Sequence, residues 1–413
     1  MSDHRVECNK ANGRSVLIAG AGISGLATAA FLARTGLTVE VVESRSQINP
    51  EEGLFLNIAP NGRRVLETLG LGAALESHGF NCPSMAMMNQ NGRRLAVVAN
   101  RSNRNNALSG YVIPRGILTS ALLEEVKRLG VTVSFGQRVK SVGRERGQKV
   151  EIALTDGERK QAELFIGADG IHSVARQAIT SSNPKPAYTG LVSCGGYGCL
   201  PGANPTHGYQ CFVFGHRGFF GYLIRPGGTV YWFSNFSYPG KPTRGELEGL
   251  GSAHWKKHLL DIHRKDFSLI TDIIASTQSG IDCYPIYDMP SLVRWHSGNV
   301  VVIGDAAHAT SPSAGQGASL ALEDALLLAK FLRDIPKLSD ALTGFEAARR
   351  ERAERIVAFS RERGESKTVA NPVLRLARDL ALPMVLSFFA RPAALGWIYD
   401  YEMDWNSRVS QAS

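Results

Sequence analysis

The chain has 413 residues, of which 44% are hydrophobic, and it carries a net charge of +9 with a pI near 9.3. This length and apolar content suffice for a large core or for two coupled domains. The basic residues form no block of like charge, so we interpret the charge as a solvated surface and expect no nucleic-acid partner.

The composition also argues against a secreted or membrane protein. Residues 1–5 lack the apolar run of a signal peptide, and the apolar residues 380–389 are interrupted by Pro383 and are too short to span a bilayer. The six cysteines show neither a CxxC pair nor zinc-ligand spacing, which predicts free, mostly buried thiols and no metal site. We therefore expect a cytoplasmic protein without an integral membrane segment, either a monomer or a homodimer.

The first elements predict a βαβ unit. Residues 15–19 are a short apolar run typical of a buried strand, residues 26–34 are Ala-rich and helical, and residues 37–42 form a second β-branched run. This order predicts a parallel sheet. Further along the chain we predict helices at 57–69 and 116–129 and strands at 131–135, 150–154 and 162–168.

The composition changes over residues 188–237, which are rich in glycine and aromatic side chains. Alternating runs there, with Pro226-Gly227-Gly228 as a turn, predict an antiparallel sheet inserted into the first domain. The later part predicts a helical region at 251–277, a core strand at 300–303, helices at 318–332 and 345–363, and a helical tail from 372.

A glycine-rich turn, Gly20-Ala21-Gly22-Ile23-Ser24-Gly25, lies between the first predicted strand and helix. In such a turn the first glycine permits the bend, the second admits a pyrophosphate, and the third allows close helix packing. Glu43 ends the second strand, where a carboxylate can bond a ribose hydroxyl. The motif predicts a dinucleotide site without distinguishing NAD from FAD.

Two later motifs each follow a predicted core strand. Asp169-Gly170 opens a helix that continues through Ser173 and Arg176, and Asp169 could bond cofactor hydroxyls. Arg176 could pair with Asp169 or with the phosphates of a nicotinamide cofactor. The last motif is Gly304-Asp305-Ala306-Ala307-His308, followed by Pro312 and Gly315-Gln316-Gly317.

The chemistry of the last motif suits a flavin. Asp305 can accept hydrogen bonds from a polyol such as a ribityl chain, and free N–H groups at Gly315 and Gly317 can stabilise a reduced flavin. We interpret His308 as packing and bonding locally behind the cofactor rather than as a catalytic group.

The three motifs together resemble those of the class A FAD-dependent aromatic hydroxylases, flavoprotein monooxygenases with the p-hydroxybenzoate hydroxylase fold, over residues 16 to about 335. The resemblance implies an α/β fold with a Rossmann-like FAD-binding domain, an inserted antiparallel-sheet substrate domain and a C-terminal helical segment. It also implies FAD as the cofactor, NAD(P)H as co-substrate, and hydroxylation of an aromatic or N-heterocyclic small molecule by O2 through a C4a-hydroperoxyflavin.

The resemblance divides the chain as follows. The FAD-binding domain would take residues 1–75, 109–185 and 286–370, and the substrate domain would take residues 76–108 and the antiparallel sheet at 186–285. Residues 371–413 would form the C-terminal helical tail, whose aromatic residues match no assigned motif.

The resemblance also implies a set of cofactor contacts. Arg45 departs from the usual position of the adenosine-side arginine, because the sequence there is Glu43-Ser44-Arg45. The full set expected to hold FAD is Gly20, Gly22, Ser24, Gly25, Glu43, Arg45, Arg115, Val139, Asp169, Gly304, Asp305, Pro312, Gly315, Gln316, Gly317 and Ala318.

The substrate is expected between the aromatic sheet and the Pro312 loop, with aromatic side chains as the wall, of which alternation lets only half face inward. The catalytic candidates are Pro312, Asp288, His216 and Tyr222, where Asp288 and His216 are possible bases for a phenol. Two alternatives stay open: an FAD-dependent epoxidase or reductase of an unsaturated lipophilic substrate, and a non-enzymatic flavin-binding protein.

Overall fold

The computed structural model describes residues 13–104, 108–143, 149–278, 280–365, 381, 384 and 392–409. In these residues the chain forms a mixed α/β fold with two large sheets and two small ones. Across the same ranges, the helices are too short or too polar to cross a lipid bilayer.

The strands of the described part follow one another along the whole chain. In chain order they are β1 (Ser15–Ala19), β2 (Thr38–Glu43), β3 (Phe55–Ile58), β4 (Phe80–Cys82), β5 (Ser84–Asn89), β6 (Arg94–Ala99), β7 (Gly110–Pro114), β8 (Thr132–Phe135), β9 (Val139–Val142), β10 (Val150–Leu154), β11 (Arg159–Ala162), β12 (Leu164–Gly167), β13 (Ala187–Cys199), β14 (Tyr209–Phe214), β15 (Gly218–Ile224), β16 (Thr229–Ser237), β17 (Asp282–Asp288), β18 (His296–Ser297) and β19 (Val300–Val302).

Helices lie between the strands and follow the last of them, β19. Those of the described residues are α1 (Ile23–Arg34), α2 (Pro60–Thr68), α3 (Gly72–His78), α4 (Arg115–Arg128), α5 (Val174–Ile179), α6 (Arg244–Gly249), α7 (Gly251–Ile262), α8 (Ser268–Ala275), α9 (Asp305–His308), α10 (Gly317–Asp334), α11 (Leu338–Glu365) and α12 (Pro392–Tyr399), with a 3₁₀ turn at Pro312–Ala314.

The six-stranded sheet has the order β18-β19-β12-β1-β2-β8, and all its strands except β18 run parallel. Three of its strands, β1, β12 and β19, are short apolar runs with mostly buried side chains, as a sheet covered by helices requires. Helix α1 packs against α4 and α10. The carboxyl ends of β1, β12 and β19 therefore meet at one edge, and the three motifs that follow these strands converge there.

The seven-stranded sheet has the order β17-β13-β16-β15-β14-β5-β6 and is antiparallel except where β14 pairs with β5. One of its faces packs against α7 and α8 in a core that includes Trp232, Trp255 and Ile270. The predicted hairpin turn at Pro226-Gly227-Gly228 is confirmed between β15 and β16. The parallel sheet with an antiparallel insertion is thus the predicted fold class.

Two predicted helices differ from the structure. The run at 57–69 begins as strand β3, which pairs with β7, and becomes helical only from Pro60, a residue suited to the first turn of a helix. The region at 251–277 is interrupted between α7 and α8, where the side chains of His263 and Asp266 are hydrogen-bonded and the chain turns.

The prediction that all cysteines are free is wrong for one pair. Cys194 and Cys283 lie opposite each other in the β13–β17 ladder and form a disulfide across 89 residues of sequence. Sheet register alone brings them together, so their spacing carries no signal. Among the described residues, Cys82, Cys199 and Cys211 are free thiols.

The predicted C-terminal tail is only partly described. Helix α12 falls within it, whereas residues 366–380, 382–383, 385–391 and 410–413 lie outside the described residues. The apolar residues 380–389 are therefore described only at 381 and 384. The domain boundaries stay a prediction.

Candidate functional site

A cavity of about 610 Å³ lies between the carboxyl edge of the six-stranded sheet and one face of the seven-stranded sheet. Gly22, Gly170 and Asp305, one residue from each of the three motifs, contribute to its lining. Segments far apart in sequence thus share one cavity, as the order of the parallel strands dictates.

The glycine turn after β1 is tightly packed on its inner side. A Cβ atom at Gly25 would lie 1.9 Å from the Gly20 carbonyl oxygen, and one at Gly20 would lie 2.4 Å from that of Ala168. By contrast, a Cβ atom at Gly22 would meet nothing within 4 Å, and this residue lines the cavity at the start of α1. The turn therefore leaves space for a ligand at the amino end of a long helix, where free N–H groups attract anions.

Glu43 and Arg45 support this turn from the side. The Glu43 carboxylate accepts hydrogen bonds from the backbone N–H of Ala21 at 2.7 Å and from that of Arg45 at 2.8 Å. Burial raises the pKa of Glu43, but hydrogen bonds and the charge of Arg45 outweigh this and leave it below its ordinary value. A charged carboxylate thus lies at the end of β2, next to the turn.

The second motif is built around Asp169 and Arg176. Asp169 Oδ2 accepts the N–H groups of Val174 and Ala175 at the start of α5, while the buried Oδ1 has no partner in the described structure. Arg176 is buried and donates to the carbonyl oxygens of Ile171 and Ala306. Arg176 therefore ties the second motif to the third, and the idea that it contacts nicotinamide phosphates is not supported.

The third motif packs directly onto the first. Gly304 has φ +58°, and a Cβ atom there would lie 2.7 Å from Ser24 Oγ. Its N–H donates to Asp324 at 2.8 Å, and His308 Nε2 lies 2.6 Å from the same carboxylate. His308 thus bonds locally, as predicted, whereas Asp305 is exposed and lines the cavity.

A buried ionic cluster lies behind this loop on α10 and α11. Arg349 contacts Glu323 at 2.7 Å and Asp324 at 2.5 Å, and all three side chains are fully buried. Burial by itself raises the pKa of Asp324, but His308 and Arg349 lower it to about 2. Charges of opposite sign therefore hold α10 against α11 and position the loop that α10 follows.

The segment from Pro312 to Ala318 forms another wall. Gly315 adopts the left-handed conformation at φ +62°, and Gln316 caps α10, so the first N–H groups of α10 lie at the cavity. Gln316 Oε1 accepts from Asn61 Nδ2 at 3.0 Å, and its buried Nε2 has no partner among the described residues.

The opposite wall is aromatic because the strands of the large antiparallel sheet alternate. Phe212, Phe214, Phe219 and Phe233 line the cavity. Phe220, Tyr222 and Trp232 lie in the core on the other face. Of the expected aromatic wall, Phe212, Phe214 and Phe233 thus face the cavity, and Phe219, which was not among the expected residues, joins them.

Three catalytic candidates do not reach the cavity. Asp288 is buried and paired with Arg361 at 2.7 Å, and His216 bonds Asp266 at 2.7 Å in the turn after β14. Tyr222 lies on the core face, where burial raises its pKa and opposes any role as a base. Pro312 does line the cavity.

The predicted cofactor residues divide by position. Those that are not part of the lining are Gly20, Gly25, Glu43, Arg45, Val139, Asp169 and Gly304. Those that line the cavity are Gly22, Ser24, Arg115, Asp305, Pro312, Gly315, Gln316, Gly317 and Ala318.

Sequence reasoning missed several lining residues. Phe359 and Tyr399 come from α11 and α12, which carry no recognised motif. Gln210 shares the period-two face of β14 with Phe212 and Phe214, so the alternation could have revealed it. The others include Phe55, Asn57, Met85, Met87, Ser193, Thr310 and Glu362.

The residues present fit FAD. Gly22 leaves open space at the start of α1, and the buried polar atoms Ser24 Oγ, Asp169 Oδ1 and Gln316 Nε2 have no hydrogen-bond partner among the described residues. Carboxylate, amide and hydroxyl groups beside a helix amino end match the pyrophosphate and polyol parts of a flavin nucleotide.

Comparison with known proteins agrees with this geometry. The aurachin C monooxygenase/isomerase of Stigmatella aurantiaca is 28% identical over 377 residues, which cover 91% of this chain and 95% of the relative. A FAD-dependent urate hydroxylase of Klebsiella pneumoniae is 28% identical over 84% of this chain and 88% of its own.

A solved structure shows the same fold. Klebsiella pneumoniae HpxO, complexed with FAD and uric acid, has a TM-score of 0.78 at 23% identity and covers 92% of this chain and 97% of its own. The family model described as FAD binding domain matches residues 14–360. The chain therefore belongs to the FAD binding domain family and is a class A FAD-dependent aromatic hydroxylase.

Proposed function

We propose that the cavity holds the flavin ring of FAD at the Pro312–Ala318 loop and a planar aromatic or N-heterocyclic substrate against the phenylalanine wall. The protein would hydroxylate this substrate with O2 and NAD(P)H. The main observation that supports this proposal is that all three motifs and the aromatic face of the antiparallel sheet contribute residues to one cavity.

Each motif has a proposed part in holding FAD. The N–H groups at the start of α1 would bind the pyrophosphate beside Gly22, where no protein atom fills the space. Asp305 would accept hydrogen bonds from the ribityl chain, and Arg115, at the start of α4, would contact the cofactor from the opposite side. Glu43, with its lowered pKa, would be a charged acceptor for the ribose.

When bound, FAD would accept a hydride from NAD(P)H and activate O2. The chain's own residues hold the substrate and keep water away. Phe212, Phe219 and Phe233 offer flat apolar surfaces on which an aromatic ring can stack, and Phe359 and Tyr399 add cover from α11 and α12. The N–H groups at the start of α10 would stabilise negative charge on the reduced flavin ring.

The relatives support a ring substrate. One relative is named as a urate hydroxylase, and urate is a planar N-heterocycle; another is named as an aurachin C monooxygenase/isomerase. The aromatic lining of this cavity suits a planar ring substrate. The sequence's further expectations, a cytoplasmic location and a monomeric or homodimeric state, stay predictions.

The test measures hydroxylation directly. Purified protein loaded with FAD is incubated with NADH or NADPH, ¹⁸O2 and a panel of aromatic and heterocyclic compounds, together with an isolated alkene. We expect at least one compound to accelerate NAD(P)H oxidation and to gain one ¹⁸O atom on its ring. If no ring compound gains labelled oxygen while an isolated alkene does, the epoxidase alternative replaces this proposal.

A further inference from the structure

The cavity contains one buried acceptor that the cofactor motifs do not use. Gln210 lies on β14, is 2% exposed and lines the cavity, and its Oε1 atom has no hydrogen-bond partner among the described residues. An amide oxygen buried without a partner is unfavourable by itself, because it has lost water and gained nothing. It becomes satisfied when a ligand presents an N–H or O–H group.

The surroundings of Gln210 place it in the substrate part of the cavity. It shares the inward face of β14 with Phe212 and Phe214, and its neighbour across the parallel ladder is Met85, which also lines the cavity. The glycine turn and the loop before α10 belong to other segments. Gln210 thus places a polar group in an apolar wall, and such an arrangement fixes the orientation of a bound substrate ring.

The charges of the lining disfavour an anionic substrate. Arg115 is the single cation among the described lining residues; it is exposed and belongs to the proposed cofactor contacts. Asp305 and Glu362 add two carboxylates to the same lining. A substrate carboxylate would therefore find no cation on the phenylalanine wall and would face like charge.

We infer that Gln210 is a specificity-determining residue and that the substrate is an uncharged ring compound bearing an N–H or O–H donor, such as a lactam or a neutral phenol. The inference rests on the proposed function, which supplies the site, and it adds the substrate class. A ligand without the donor would leave Gln210 Oε1 unpaired in a desolvated wall. This single oxygen atom would therefore favour ligands that carry an N–H or O–H donor over ligands that lack one.

The experiment compares ligands of nearly equal shape on the FAD-loaded protein. The probes are quinolin-2(1H)-one, which has a ring N–H, coumarin, which has an oxygen in its place, and the anion quinoline-2-carboxylate. Binding is measured by the change in flavin absorbance, which requires no turnover. We expect the lactam to bind about tenfold more tightly than coumarin and than the carboxylate.

Variants then assign the preference to Gln210. Gln210→Met keeps the length of the side chain and removes the amide, and it should weaken lactam binding about tenfold while leaving coumarin binding unchanged. Gln210→Leu provides a second test if the first variant loses FAD. The matched control is Gln161→Met, an exposed residue of β11 outside the cavity, which should retain the full preference.

The outcomes separate this inference from the proposed function. It is overturned if the wild-type protein shows no preference for the lactam, or if the Gln210 variants keep that preference. Oxygen incorporation is measured in the same samples. A preference that depends on Gln210 without oxygenated product from any ring compound contradicts the proposed function alone, whereas product formation with no effect of Gln210 contradicts the inference alone.

Discussion

The carboxylate of Asp324 on α10 accepts the backbone N–H of Gly304, twenty residues earlier in the chain, at 2.8 Å. The same carboxylate contacts His308 at 2.6 Å and Arg349 at 2.5 Å. The loop that carries Asp305 to the cavity is therefore fixed from behind by a buried ionic cluster rather than by its own residues. This relationship explains why helix α10 carries charged residues, Glu323 and Asp324, at buried positions.

Replacing Asp324 should destabilise both the fold and the cofactor loop. Asp324→Asn leaves Arg349 with one partner fewer in a fully buried position, which should lower the free energy of unfolding by roughly 3 kcal/mol. Urea unfolding measures this change, and a FAD titration should show weaker binding. Asp340→Asn on the exposed start of α11 is the control and should leave both quantities near the wild-type values. Equal stability of the Asp324 variant and the control would contradict this role.

The same carboxylate predicts a pH dependence of stability. The folded-state pKa of Asp324 is about 2, below its ordinary value of 3.8, so its charged form stabilises the fold fully above about pH 4. This contribution, roughly 2 kcal/mol, should disappear as the pH falls from about 4 towards 2. Unfolding free energies of the wild-type and Asp324→Asn proteins should therefore converge over this window. A constant difference between pH 5 and pH 2.5 would refute the assignment.

Two glycines of the first motif should respond differently to alanine. Gly22→Ala adds a methyl group where no atom lies within 4 Å, so the apoprotein should keep its melting temperature while FAD affinity drops at least tenfold. Gly25→Ala forces a methyl group to within 1.9 Å of a backbone oxygen and should lower the melting temperature as well.

Gly245→Ala on α6, which also meets open space, is the control for the glycine series. Thermal scans of the apoproteins followed by FAD titrations give both quantities. Normal FAD affinity in Gly22→Ala would show that the pyrophosphate does not lie at this turn.

The C-terminal helix should protect the site from water. Tyr399 is 5% exposed and lines the cavity, and Arg64 binds its carbonyl oxygen at 2.6 Å, which fixes the end of α12. Tyr399→Ala should open the cavity, so that more NAD(P)H is oxidised per molecule of hydroxylated product. Tyr238→Ala, on the far side of the sheet against Trp255, should keep the wild-type ratio. An unchanged ratio in Tyr399→Ala would mean that α12 does not shield the reaction.

Much of the fold follows from local patterns in the sequence. The apolar runs of β1, β12 and β19 are buried on both faces, and each is followed by a motif with glycine or aspartate, so periodicity and turn chemistry agree there. The convergence of the motifs then follows from parallel strands in one sheet.

The parts that sequence could not predict depend on long-range packing. Asp288 lies at the end of a strand, a position that suits a catalytic carboxylate. It is not part of the cavity lining, however, and it is paired with Arg361, 73 residues later in the chain. Cys194 and Cys283 become neighbours only through sheet register. Tyr399 reaches the cavity because α12 packs against β5 and α10, in a buried cluster that includes Met85 and Leu320. No local sequence pattern predicts this packing.

The most direct test of the central claim, that one cavity between the two sheets holds FAD, is a fluorescence titration of the apoprotein with FAD. We expect one FAD per chain, and at least tenfold weaker binding by Asp305→Ala than by the surface control Asp340→Ala. Failure of the wild-type protein to take up FAD, or equal binding by the two variants, would contradict the account.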